Sequence, residues 1–211
     1  MNKKDFKIIK GVSIFGYADT QPGEELYEDA KEVSRVLAEQ GMTIINGGGP
    51  GVMRASTKGA HQGGGKAYVA TFYSEQMETF EGKDPLNDAD KELAFDTYLE
   101  RTLKLLELGN AYVIFNGGTG TVSEFGMAWG LAKLYLGHHK PLILYGEFWH
   151  EIMESFAKNL NIRPAALRVY RIATSPEEVV ESLWFYEKEL KKGKHEVVYP
   201  GEESFEDAFI N

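Results

Sequence analysis

The nine residues NGGTGTVSE, Asn116 to Glu124, follow directly on the apolar run AYVIF, Ala111 to Phe115. A short run rich in β-branched and aromatic residues, apolar throughout, has the composition of a strand buried on both faces. The glycines after it leave backbone N–H groups unobstructed in a tight turn, and the pattern from Ser123 to Tyr135 is helical. The chain repeats this unit. MTII, Met42 to Ile45, leads into NGGGPGVM, Asn46 to Met53, with a helical pattern from Gly51 to Gln62.

Further strand-like runs occur at Gly11 to Phe15, Ala67 to Thr71 and Pro141 to Tyr145, with a weaker one at Arg168 to Ile172. Helical patterns fill the intervals Glu24 to Gln40, Lys91 to Leu108, Phe148 to Asn159 and Pro176 to Lys191. Strict β-α alternation predicts a parallel sheet with right-handed crossovers. The expected fold is therefore α/β, a Rossmann-like doubly wound parallel sheet with helices on both faces, forming one domain over residues 1–211. The connection from Thr71 to Asp90 is long enough to serve as a lid or a dimer contact. The tail after Lys192 has weak periodicity and is expected to be flexible.

Composition narrows the function. The 211 residues include no cysteine, so disulfides, thiolate metal sites and a cysteine nucleophile are excluded. The five histidines show no ligand spacing, and no metal is expected. A formal charge of −9 argues against a nucleic-acid partner, because counterion release rewards clustered cations. No run approaches the ~20 apolar residues of a membrane span, and a soluble, cytoplasmic protein is expected. Any phosphate must then be held locally, by backbone amides, helix N-termini and placed arginines.

Both glycine clusters fall where an open parallel sheet binds ligands, beyond the carboxyl ends of its strands. They match neither a P-loop nor a well-placed G-x-G-x-x-G. Beside the second cluster, Glu124 has two readings. With Thr121 it spells a T-x-x-E capping box, which would turn it back to a backbone N–H; as a carboxylate beside an anion-binding turn it would face the same ligand. Arg101 also has two, a surface partner of Glu100 or a side chain reaching the mouth of the sheet from a helix about 10 Å up.

GGGPGVM and, after Arg101, NGGTGTVSE resemble the paired glycine signatures of the Lonely Guy family, the second written P-G-G-x-G-T-x-x-E. The resemblance runs from Val12 to Leu183 and includes KPLILYGEFW and ATSPEEVVESL. It implies hydrolysis of the N-glycosidic bond of a nucleoside 5′-monophosphate, of the AMP or cytokinin ribotide type, to free base and ribose 5-phosphate without a cofactor. It places the catalytic pair on Arg101 and Glu124. Phosphate and ribose contacts fall on Gly47, Gly48, Gly49, Gly51 and Met53, and on Gly117, Gly118, Thr119, Gly120 and Thr121. The partner is a small-molecule nucleotide, and related proteins form homodimers or higher homo-oligomers, in keeping with the aromatic and Met residues between Phe125 and Phe156. The rival expectation is a non-catalytic nucleotide or molybdenum-cofactor carrier of the same fold. Lysine decarboxylation, a label often attached to the family, needs a Schiff-base lysine in a pyridoxal phosphate site that has no counterpart in the sequence. Four positions depart from the family: Asn116 stands for proline, Thr102 for lysine, Gly16-Tyr17-Ala18-Asp19 for G-S-S-x-G, and Met127 for glutamate.

Overall fold

The computed structural model describes residues 4–72, 83–134 and 140–192. Its elements run β1 (Gly11–Phe15), α1 (Glu25–Glu39), β2 (Thr43–Asn46), α2 (Val52–Gln62), β3 (Ala67–Phe72), β4 (Lys91–Phe95), α3 (Tyr98–Leu108), β5 (Ala111–Ile114), α4 (Thr119–Leu134), β6 (Leu142–Tyr145), α5 (Phe148–Asn159), β7 (Tyr170–Ala173) and α6 (Pro176–Lys191). The seven strands form one parallel sheet in the order β4-β3-β2-β1-β5-β6-β7.

Successive strand residues point to opposite faces, and β5 shows what that does here. Ala111 and Val113 pack into one core with Val33 and Leu37 of α1, Ala55 of α2 and Leu183 of α6. Tyr112 and Ile114 face the other core, against Leu105 of α3, Phe125 of α4 and Trp149 of α5. With both faces covered, the central strands must be apolar at every position, and β1, β5 and β6 are buried at every residue. This is the doubly wound α/β sheet that the alternation predicts. β1 lies between β2 and β5, so the chain reverses its direction of winding there, and the reversal opens a crevice above the carboxyl ends of β1 and β5.

Two boundaries differ from expectation. Lys91–Phe95, read from sequence as the start of a helix, is an edge strand paired in parallel with β3. Its Lys, Glu, Leu and Ala favour helix in isolation, but the unpaired edge of β3 offers a full ladder of backbone partners. The helix starts instead at Tyr98, after Thr97, whose hydroxyl accepts from the N–H of Glu100 at 3.2 Å. α4 begins at Thr119, four residues before the expected Ser123. The expected lid or dimer contact falls in large part on residues 73–82, and the flexible tail on residues 193–211; both lie outside the described residues.

Candidate active site

The crevice is floored by the two glycine loops. Loop 46–51 leaves β2 at Asn46, which is fully buried. The Asn46 amide donates to Thr57 Oγ1 at 2.9 Å, and its oxygen accepts from the N–H of Gly48 at 2.9 Å. Segment 84–87 clamps the loop from outside. The N–H of Asp84 donates to the Gly48 carbonyl at 3.0 Å, and Asn87 Nδ2 donates to the Gly49 carbonyl at 2.9 Å. Arg54 completes the clamp with an ion pair to Asp84 at 3.1 Å. Gly51 ends the loop at φ +60, and a Cβ there would lie 2.3 Å from the carbonyl oxygen of Tyr17.

Both helices that leave these loops start on glycine. Gly51 is the cap residue of α2 and supplies no side-chain cap. In α4 the ladder opens with the N–H of Val122 donating to the Gly118 carbonyl at 3.0 Å. The N–H groups of Thr119, Gly120 and Thr121 therefore precede any intrahelical acceptor, and Gly118 has no side chain to receive them. α3 and α6, which begin elsewhere, are closed by Thr97 and Ser175. Two helix N-termini open toward one crevice, and the amides and partial positive ends of such termini favour negative charge.

Arg101 and Glu124 meet above this floor. Arg101 Nη1 donates to Glu124 Oε1 at 2.6 Å, and each side chain is only 8% exposed. Arg101 Nε also donates to the Ala70 carbonyl at 3.2 Å. The guanidinium passes so close over Gly47 that a Cβ there would sit 1.6 Å from Nη2. This geometry removes the cap reading of Glu124 and the surface reading of Arg101. Glu124 lies in the second turn of α4, too deep to cap it, and Arg101 is buried rather than on the surface. Burial pushes the Glu124 carboxyl up to about 7, with the Arg101 guanidinium pulling the other way.

These residues line a cavity of about 170 Å3 together with Phe15, Tyr17, Phe72 and Tyr98. Of the residues expected at the site, Gly47, Gly49, Met53, Gly118, Thr119, Gly120 and Thr121 line it with Arg101 and Glu124. Gly48, Gly51 and Gly117 stand behind it, where they allow the backbone to pack: a Cβ on Gly117 would lie 2.2 Å from Thr121 Oγ1. Sequence reasoning missed Tyr98 and Lys83, which also line the cavity. Tyr98 was within reach, being three residues before Arg101 and so on the same helical face. Lys83 had no signal, since only the fold returns that segment to the loop. Of the departures from the family pattern, Thr102 is buried within α3 and Met127 packs on the α4–α5 core, while Asn116 is exposed with its carbonyl accepting from the N–H of Tyr17 at 2.9 Å.

Residues 53–183 match the protein family described as possible lysine decarboxylase, a span that carries Arg101, NGGTGTVSE and most of the sheet. The chain belongs to this family, the Lonely Guy proteins. Among Lonely Guy relatives, the cytokinin riboside 5′-monophosphate phosphoribohydrolase of Mycobacterium tuberculosis is 32% identical over 60% of this chain and 65% of its own length. An uncharacterized protein of Archaeoglobus fulgidus is 35% identical over 58% of this chain and 77% of its own. The molybdenum cofactor binding protein of Rippkaea orientalis shares the fold, with a TM-score of 0.62, 20% identity and coverage of 84% of this chain and 97% of its own. Among the described residues, no helix is long and apolar enough to cross a membrane.

Proposed function

We propose that this Lonely Guy protein hydrolyses the N-glycosidic bond of a nucleoside 5′-monophosphate, releasing the free base and ribose 5-phosphate. The observation that carries the reading is the buried Arg101–Glu124 pair beside two glycine-started helix N-termini. The 5′-phosphate oxygens accept from the N–H groups of Thr119, Gly120 and Thr121, which brings the sugar to Glu124 at the next turn of the same helix. When the bond from C1′ to the base nitrogen breaks, its electron pair leaves with the base and positive charge develops on the sugar. A carboxylate held there stabilises that charge. A water oxygen bonds to C1′; Glu124 takes the water's proton, and a proton passes to the departing base. Arg101 holds the carboxylate in orientation and favours its ionised form.

The rival reading is a carrier of a nucleotide or molybdenum cofactor. A carrier would use the same amide cradle but has no use for a buried carboxylate–guanidinium pair held beside it. A homodimer is part of the proposal, and exposed Leu99 and Leu103 of α3 and Val122 of α4 are apolar surface for it.

Incubation with a panel of nucleoside 5′-monophosphates, followed by chromatography of the products, tests the function. Release of base is expected from at least one of them, and adenosine should react far more slowly than its 5′-monophosphate because the cradle holds phosphate. No release from any monophosphate sinks the proposal.

The raised Glu124 carboxyl sets a pH dependence. The ionised form is the active one, so kcat/KM for the best substrate should fall as pH drops through about 7, rather than near the usual 4.5. A pH–rate profile flat from 8 to 5 would contradict it. The same shift has the opposite sign for folding. The native state retains a proton that the unfolded chain has lost between 4.5 and about 7, so this group's contribution to stability declines as pH rises across that window.

A further inference from the structure

Nothing so far says which part of the site meets the base, and that question rests on the hydrolase reading above. A ligand whose phosphate sits at the start of α4, beyond β5, and whose anomeric carbon sits at Glu124 has its base on the far side of the Arg101–Glu124 pair. The cavity extends that way to Met53 and to Thr71 and Phe72 at the end of β3. In the sheet order β3-β2-β1-β5, the two ends lie three strand spacings apart, about 14 Å. At the β3 end the cavity is lined by Met53, Phe72 and Tyr98 together with Thr71 and Lys83, and the ring of Tyr98 is less buried than that of Phe72.

Tyr98 is half-buried in the first turn of α3 and packs edge-to-face with Phe72, with ring centroids 5.8 Å apart. The Arg101 guanidinium also approaches the ring, with Cζ 5.8 Å from its centroid, and the remainder of the ring lines the cavity. The hydroxyl fixes the ring. Tyr98 Oη lies 2.7 Å from Ser123 Oγ and 3.3 Å from the Gly120 carbonyl oxygen, and Ser123 in turn donates to that carbonyl at 2.7 Å. A cavity-lining ring on the helix of Arg101 is thus tied to the first turns of the helix that starts the phosphate cradle. That tie holds the ring at a set distance from the cradle, a preorganised contact for a planar group attached to a sugar phosphate.

We propose that Tyr98 is the specificity-determining residue for the base: its ring is the wall against which the leaving heterocycle lies, and its bond to Ser123 sets the orientation of that wall. Base recognition is then separable from phosphate recognition. Ribose 5-phosphate, which has no base, does not use Tyr98.

The test compares Tyr98→Leu and Tyr98→Phe with the unaltered protein, measuring kcat/KM for its best nucleoside monophosphate and affinity for ribose 5-phosphate. Tyr98→Leu should lower kcat/KM about tenfold or more, the range that loss of one base–aromatic stack produces, while leaving ribose 5-phosphate affinity within about twofold. Tyr98→Phe keeps the ring but loses its tie to Ser123, so its kcat/KM should fall between those of the leucine variant and the unaltered protein, with ribose 5-phosphate affinity within about twofold. An equal loss for both ligands in the leucine variant, or no loss for either, overturns the assignment, as does a phenylalanine variant as impaired as the leucine one. Should the leucine variant not fold, Tyr98→Met fills similar space without a planar face and carries the same expectation. Failure of the unaltered protein to release base from any monophosphate would count against the hydrolase reading itself and is scored separately.

Discussion

Glu124→Gln is expected to fold with its melting temperature close to that of the unaltered protein and to release base about a hundredfold more slowly, or worse. The substitution keeps shape and one acceptor for Arg101 while removing the charge that would oppose an oxocarbenium-like sugar. Loss of a single preorganised electrostatic contact in a water-poor site has that order of effect on turnover. Because burial already pushes the Glu124 carboxyl up to about 7, its neutralisation carries little cost in folding, and the two readouts separate. A variant with near-normal turnover would remove Glu124 from the mechanism, whatever the fold.

Gly47→Ala is expected to match that loss without altering any charged or polar side chain. The added Cβ would lie 1.6 Å from Arg101 Nη2 and 2.6 Å from Cζ, so the guanidinium has to leave its place over the loop. Arg101 can swing at its flexible end, so the backbone survives, but Glu124 loses its partner and its orientation. A displacement of about 1 Å in a catalytic constellation can cost about a hundredfold. Base release by the variant, set beside its far-ultraviolet circular dichroism, decides the matter; a fully active, folded Gly47→Ala protein would mean that the pair need not be held as the structure holds it.

Two T-x-x-E sequences show how much of this was legible beforehand. Thr97-x-x-Glu100 does cap a helix: the Glu100 N–H donates to Thr97 Oγ1, and the Thr97 hydroxyl lies 2.9 Å from Glu100 Oε2. It marks where α3 starts, and reading it would have freed Lys91–Phe95 to be a strand. Thr121-x-x-Glu124 has the same spelling and caps nothing, because the glycines before it let α4 begin at Thr119. Spelling alone cannot distinguish them. The first faces solvent, where its carboxylate meets the cap hydroxyl of its own helix; the second is drawn inward by a cation from another helix. The sheet was legible because central strands buried on both faces announce themselves by unbroken apolar runs. β4 was not, since an edge strand with exposed Lys91, Glu92 and Ala94 has no such run. The glycine loops could be anticipated from their place after the strands, and the joining of Arg101 with Glu124 from the family resemblance, whereas the clamp of Arg54, Asp84 and Asn87 depends on contacts that no local pattern encodes.

The two helix ends that begin on glycine also bear on how firmly the chain stays folded. A side-chain cap at such an end is typically worth about 1 kcal/mol, so leaving α2 and α4 without one sets aside stability that an anion seated between them restores. Occupancy and folding are thereby linked: a ligand at a hundred times its dissociation constant adds about 2.7 kcal/mol to the folded state. On the proposed reading, the phosphorylated ligand would raise resistance to heat and proteolysis with the logarithm of its concentration.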